Sequence, residues 1–385
     1  MDLPTARYDL DNGRASASSC GVPVMSPTAP LAASPAPASA APPVAPAAFL
    51  QTVRTRVDAR LEEILGEAHT FTAATAPATL PVLQAARDLT FRGGKRLRPA
   101  LLFAAVECVE PGAFPEAATD LGAALEILQT YLLVHDDWMD DDPIRRGAPS
   151  VHVALGKHYG DAHLGAATAI LAGDLMGSLV HAVVAGIDLP TPRRRAVLSV
   201  FRRMEHEVIL GQCLDVTRSP DIERIHHLKT GSYTVRGPLA LGLSVAGASD
   251  AAREAVDAYA LPLGLAFQLR DDVLGAFGSA AETGKPVGGD FREGKETFLL
   301  HHARTHLGTA DRQRLDARIG RRDLTDADIA EVQALLTASG AREAAEARVV
   351  ALRGQCLAAL DTPALQPQGR ALLQAFAAWL TDRSR

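Results

Sequence analysis

Residues 136–142 read Asp-Asp-Trp-Met-Asp-Asp-Asp, and a second acidic pair, Asp271-Asp272, follows Phe267-Gln268-Leu269-Arg270 far downstream. Asp136 and Asp140 stand four residues apart, a spacing that places both on one face of a helix. Leu121, Leu125, Leu128 and Leu132 upstream predict a packed apolar helix, so the carboxylates fall at its C-terminal end. The helix dipole disfavours negative charge there, and five carboxylates within seven residues repel one another. Hard divalent cations with oxygen ligands are the natural counter-charge. A solvated acidic turn is the competing reading; the recurrence of an acidic pair in an equally apolar setting argues against it.

Basic residues punctuate the same chain. Gly93-Gly94-Lys95-Arg96-Leu97-Arg98-Pro99 opens a predicted helix, and Arg145-Arg146-Gly147 follows the first acidic cluster directly. Arginine forks grip phosphate oxygens bidentately and lysine adds a point charge. Lys229, Lys285 and Lys295 supply three further cations, each an ordinary surface lysine if read alone. Two carboxylate clusters with two arginine-rich turns point to magnesium bridging carboxylates to a diphosphate. The chain has no Gly-x-x-x-x-Gly-Lys-Ser/Thr loop, which argues against a nucleotide P-loop.

Taken in order, Gly-Gly-Lys-Arg-Leu-Arg-Pro (93–99), Asp-Asp-x-x-Asp (136–140), Arg-Arg-Gly (145–147), Lys-Thr (229–230), Phe-Gln-x-x-Asp-Asp (267–272) and Gly-Lys-Pro (284–286) resemble the trans-isoprenyl diphosphate synthases, from about residue 50 to the C-terminus. The resemblance implies a head-to-tail prenyltransferase that condenses isopentenyl diphosphate with an allylic diphosphate (dimethylallyl, geranyl or farnesyl). It also implies Mg2+, three ions with the allylic diphosphate, with Mn2+ as an alternative, and a homodimer. Asp136, Asp140 and Asp271 would ligate metal, with Asp137 and Asp272 assisting. Arg145, Lys229 and Lys285 would contact the allylic diphosphate, Lys95, Arg98, Arg146 and Gln129 the isopentenyl diphosphate, and Lys295 is a further substrate-binding candidate. The Lys229 carbonyl, Thr230 and Gln268 would face the allylic cation. Gln212 and Asp215 resemble the family's supporting pair, an ordinary polar helix face being the alternative. His135 would brace the acidic cluster, while His226 and His227 read as surface residues.

One position departs from the pattern: Gly275 stands where many relatives carry the last aspartate of a second Asp-Asp-x-x-Asp. Tyr131 and Leu132, five and four residues before Asp136, resemble the chain-length floor of geranylgeranyl-type synthases. Farnesyl or longer products are the alternatives. A terpene cyclase would not need the Lys95, Arg98 and Arg146 set, and a non-catalytic partner subunit would not need intact acidic motifs.

Composition bounds the rest. Residues 1–48, rich in Ala, Pro and Ser, cannot bury enough apolar surface to offset their ordering entropy and read as a disordered tail ahead of one domain, 49–385. Thirty-nine Lys and Arg against 45 Asp and Glu make nucleic acid an unsuited partner. No apolar run of spanning length is expected after the tail. Cys20, Cys108, Cys213 and Cys356 show no metal or disulfide spacing, and three lie in apolar helical surroundings, reading as reduced core thiols of a cytoplasmic protein.

The elements that must position these residues are helical nearly throughout. Leu50, Val53, Val57, Leu61 and Ile64 form one stripe, and segments 97–110, 116–135, 163–186 and 193–217 continue it. No period-2 strand stands out. The fold expected is an all-α, isoprenoid-synthase-type bundle of about a dozen helices around a central cavity. Residues 278–294, Gly-rich with Pro286, predict one long functional loop, read with Lys285 and Lys295 as a lid closing over diphosphate.

Overall fold

The computed structural model describes residues 46–278 and 287–382. The chain forms α1 (Pro46–Thr75), α2 (Leu80–Phe91), α3 (Leu97–Glu107) and α4 (Glu116–Met139). A two-stranded hairpin, β1 (Ile144–Arg145) with β2 (Ala148–Pro149), leads to α5 (Val151–Tyr159), α6 (Ala162–Ala185) and α7 (Thr191–Val216). The short α8 (Ile222–Ile225) runs into a π-helix over His226–Arg236, then α9 (Gly237–Ala246) and α10 (Asp250–Phe277). After the gap come α11 (Gly289–Glu293), α12 (Phe298–His306), α13 (Thr309–Asp316), α14 (Asp326–Ala338), α15 (Ala341–Ala359) and α16 (Pro367–Thr381). The all-α expectation holds, with more helices than a dozen because several are one or two turns long.

The stripe on α1 behaves as its spacing predicts: Val53, Val57 and Leu61 are fully buried and Ile64 nearly so. α4 is apolar from Leu121 to Leu128 except for Glu126 and is buried on every side there, packed by α1, α2, α3 and α6. Asp161, Ser249 and Thr297 cap α6, α10 and α12 by accepting from the backbone N–H three residues on. α10 joins two apolar cores: its Tyr259, Leu263 and Phe267 belong to the larger one, and Leu269, Val273 and Ala276 to a smaller one built with α12, α14 and α15.

Several expectations need correction. α1 begins at Pro46, so residues 46–48 are helical; the rest of the predicted tail lies outside the described residues. The 278–294 loop is interrupted by α11, and Lys285 lies outside the described residues. Cys108 and Cys356 are buried, with burial pushing both thiols up to about 12, whereas Cys213 is exposed on α7. Against the expectation of no spanning run, α6 is long and apolar enough to cross a membrane by length and composition; it packs here on α4 and α5.

Candidate active site

The hairpin after α4 sorts two arginines to opposite sides. Arg146 and Gly147 form a two-residue turn with φ of 54° and 74°, the left-handed pair that a tight hairpin requires. Arg92 braces it by donating to the Pro149 carbonyl at 3.0 Å. Arg145 turns back to α4, ion-pairing with Asp137 and with Asp142 at 3.0 Å and lying 3.7 Å from Asp136. Arg146 points the other way and donates to the carbonyls of Leu89 at 3.1 Å and Arg92 at 3.2 Å.

On the Arg146 side is a pocket of about 150 Å3 whose walls include Lys95, Arg98, Arg146, Thr234 and Phe267. Arg98 donates to Thr234 at 2.7 Å and stacks over the Tyr233 ring, while its Nε is buried without a hydrogen-bond partner. Lys95 lies exposed over Trp379 of α16. The neighbouring Arg96 has a structural task instead. It is buried at φ 51°, paired with Asp58 and Glu126 at 2.7 Å each, and holds the start of α3 against α1 and α4. Gln129, expected at this pocket, is buried in α4 with its Oε1 unpartnered, and Glu126 takes the place in the pocket wall.

On the Arg145 side the carboxylates gather. Asp136 and Asp140 are partly exposed; Asp137 is fully buried. Burial raises Asp137 and Asp140 to about 6, and the charge of Asp136 adds to it. Burial acts on Asp136 in the same sense, but Lys229 and Arg145 outweigh it and hold Asp136 below the usual carboxylate range. The Lys229 ammonium bonds Asp136 Oδ1 at 3.1 Å and Asp215 of α7. Gln212, one turn before Asp215, keeps its Nε2 buried and unpartnered.

Three helices meet at Lys229. A Cβ on Gly211 of α7 would lie 2.3 Å from the Lys229 nitrogen, and one on Gly264 of α10 would lie 2.9 Å from Gly231 Cα. Glycine at these crossings lets α7 and α10 touch the backbone of the π-helix. Beside that contact, Thr230 Oγ1 donates to Gln268 Oε1 at 2.6 Å, and Gln268 Nε2 donates to Asp272 Oδ1 at 2.9 Å.

The downstream pair divides as the upstream one does: Asp271 is partly exposed and Asp272 buried, with burial raising Asp272 to about 7. Lys295 stands in the field of both clusters. Burial works to lower its pKa, but Asp290, Asp215, Asp272 and Asp136 raise it above the ordinary lysine value. Asp290 was missed in the sequence. A Cβ on Gly275 would lie 3.0 Å from Asp290 Oδ2, so a carboxylate from α11 occupies the space beside the position that departs from the expected Asp-Asp-x-x-Asp. Its signal was the Gly-Asp step five residues before Lys295. His226, expected at the surface, is buried 3.6 Å from Asp272. Burial, reinforced by Lys295, lowers its pKa to about 4, so the ring is neutral. His135 does not brace the acidic cluster; its Nε2 lies 3.0 Å from the Ile170 carbonyl of α6. Tyr131 stands edge-on to the His135 ring, 4.9 Å between centroids, and lies against Gly177 of α6; Leu132 is partly buried beside it.

Among the described residues no three His, Cys, Asp or Glu side chains already ring an ion. The donor set nevertheless suits a hard cation. It is all carboxylate oxygen, and one oxygen each of Asp137 and Asp272 is buried without a hydrogen-bond partner.

The chain matches the polyprenyl synthetase family over residues 81–336. It is 34% identical over 261 residues to a short chain isoprenyl diphosphate synthase of Methanocaldococcus jannaschii, covering 66% of this chain and 76% of that protein. To the (2E,6E)-farnesyl diphosphate synthase of Mycobacterium tuberculosis it is 35% identical over 306 residues, 75% of this chain and 80% of the relative. The crystal structure of geranylgeranyl pyrophosphate synthase from Corynebacterium glutamicum, complexed with isoprenyl diphosphate and magnesium, superposes with a TM-score of 0.80 at 34% identity, covering 87% of this chain and 98% of that one. The chain therefore belongs to the polyprenyl synthetase family, the trans-isoprenyl diphosphate synthases, and is a trans-prenyltransferase.

Proposed function

We propose that the enzyme condenses isopentenyl diphosphate head to tail with an allylic diphosphate and releases chiefly geranylgeranyl diphosphate. The observation that carries this reading is the division at Arg145 and Arg146. One cation set lies among carboxylates, where metal and diphosphate belong; the other lines a small pocket with Glu126 as its one acidic wall residue. A reaction joining a metal-bound diphosphate to a metal-free one needs two such places, and a terpene cyclase needs one.

Asp136, Asp140 and Asp271 would hold Mg2+, with Asp137 and Asp272 behind them; the ions supply Lewis-acid neutralisation of the leaving diphosphate. Arg145, Lys229, Lys285 and Lys295 grip the same group. Lys95, Arg98 and Arg146 seat isopentenyl diphosphate, whose double bond attacks the allylic carbon. The Lys229 carbonyl, Thr230 and Gln268 present oxygens to the positive charge that develops there. Apolar neighbours such as Phe267 and Leu132 keep water from quenching it. Departed diphosphate can accept the final proton, so no dedicated side-chain base is required.

Tyr131 is the one aromatic at the two floor positions and Leu132 is aliphatic, which supports a twenty-carbon product. A fifteen-carbon product is the second reading, favoured by the similarity to farnesyl diphosphate synthases. The exposed apolar residues Leu164 and Leu171 on α6 support a homodimer formed on that face rather than a membrane span. The test of product length is incubation with Mg2+, labelled isopentenyl diphosphate and, separately, five-, ten- and fifteen-carbon allylic starters, followed by chromatography after dephosphorylation. A twenty-carbon alcohol is expected. Accumulation at fifteen carbons, with no use of the fifteen-carbon starter, would establish the second reading instead.

A further inference from the structure

We infer that His226 is a positioning residue for this reaction, acting through Asp272 and Gln268 on the hydroxyl of Thr230. The inference rests on the reading that Thr230 and Gln268 face the allylic carbon.

Two short ladders meet where the π-helix crosses α10. His226 and Thr230 stand four apart on the π-helix, whose widened i→i+5 turns bring them close to one line. Gln268 and Asp272 stand four apart on one face of α10. The backbone contact of Gly231 with Gly264 sets their register, so that Thr230 meets Gln268 and His226 meets Asp272.

Hydrogen-bond polarity gives the ladder a direction. Asp272 Oδ1 accepts from Gln268 Nε2 at 2.9 Å, so the amide nitrogen of Gln268 faces Asp272. Gln268 Oε1 must then face Thr230, and it takes the Thr230 hydroxyl proton at 2.6 Å. With its proton so directed, the Thr230 oxygen can turn only lone pairs toward a developing positive charge. If the Asp272 carboxylate rotates, the Gln268 amide loses the partner that fixes its orientation, and Thr230 becomes free to swing its proton toward the cation.

His226 guards against that rotation. The second oxygen of Asp272 is buried and no hydrogen bond reaches it; the His226 Nε2 is the ring nitrogen beside it, at 3.6 Å. The charge of Lys295 and the backbone N–H of Phe298, at the start of α12, also act on this carboxylate. His226 meets the carboxylate from the π-helix side. The ring is itself buried and belongs to no other polar pair among the described residues.

The test compares His226→Leu, which removes the ring nitrogen beside Asp272 at similar volume, with His226→Gln, whose amide nitrogen reaches toward the place of Nε2. Steady-state turnover, KM for isopentenyl diphosphate, and the share of consumed allylic diphosphate released as the water-quenched alcohol are read for each. His226→Leu is expected to lower kcat by about ten- to a hundredfold, with KM for isopentenyl diphosphate within about twofold of wild type and a raised alcohol share, as loss of an outer-shell anchor does. His226→Gln should recover most of both. Wild-type kcat and alcohol share in His226→Leu would overturn the proposal, as would equal losses in the two variants. If His226→Leu does not fold, His226→Asn, too short to reach Asp272, takes its place against His226→Gln with the same criteria. A Thr230→Val variant with wild-type kcat and alcohol share would instead remove the underlying reading that Thr230 serves the cation.

Discussion

The Lys229 ammonium sits 3.1 Å from Asp136 Oδ1 and pairs at the same time with Asp215, so a single cation ties the end of α4 to α7 through the π-helix. Two carboxylates of the site are thereby held by one side chain. Lys229→Ala leaves Asp136 and Asp215 facing each other without it and removes one of the proposed diphosphate contacts. The expected loss in kcat is about a hundredfold or more, the range found when one electrostatic stabiliser is removed from an active site. Steady-state assay with the protein's far-ultraviolet dichroism as a folding control checks this; turnover near wild type would show that Lys229 is a structural tie only.

Arg145 and Asp137 make a pair of a different kind. Asp137 has no exposed side-chain surface, so Arg145→Ala strands a buried carboxylate. Breaking one side of such a pair destabilises by about 3–5 kcal/mol. Urea unfolding should show that loss in Arg145→Ala and a substantial recovery in Arg145→Ala with Asp137→Asn, in which the stranded charge is gone. Equal stability of the single and double variants would contradict the account.

Gly211 and Gly264 bear on both stability and chemistry. A methyl at either position meets backbone at 2.3 Å and 2.9 Å respectively, and backbone cannot swing aside as a flexible side chain can. Alanine at either site is expected to destabilise by about 1–3 kcal/mol, as overpacking does. Because the displaced backbone carries Lys229 and Thr230, activity should fall further than the folded fraction does. Activity that tracks the folded fraction alone would refute the positioning argument.

The apolar face of α6 predicts its own behaviour in solution. Leu171, 61% exposed on the described chain, should be covered in a homodimer. Sedimentation velocity is expected to give a dimer for the wild type and a shift toward monomer for Leu171→Glu. A wild-type monomer at micromolar concentration would remove the dimer proposal.

The helices were legible where one apolar stripe ran at one period, as in α1 from Val53 to Leu61 and in α4 down to Asp136. The acidic pairs and arginine-rich turns were legible because like charges at fixed spacing in apolar surroundings demand an explanation from residue chemistry alone. What remained hidden depends on tertiary context. A π-helix at 226–236 has no period distinct enough to separate it from an α-helix, and its wider turn carries His226 inward from a doublet that reads as surface. The β1–β2 hairpin has strands too short for alternation, although Arg-Arg-Gly held a turn signal in its glycine. Asp290 meets Gly275 only because α11 folds back on α10, a contact that no local spacing encodes.

The central claim is that the Asp136 cluster and the cations around it carry metal-dependent prenyl transfer. The most direct test is incorporation of labelled isopentenyl diphosphate into acid-labile product by wild type and Asp136→Ala, each with Mg2+ and with EDTA. Wild type with Mg2+ should elongate an allylic starter, EDTA should stop it, and Asp136→Ala should lose about a thousandfold or more of the rate, since an interaction made in the transition state is removed. Elongation by Asp136→Ala at the wild-type rate, or wild-type turnover indifferent to EDTA, would contradict the account.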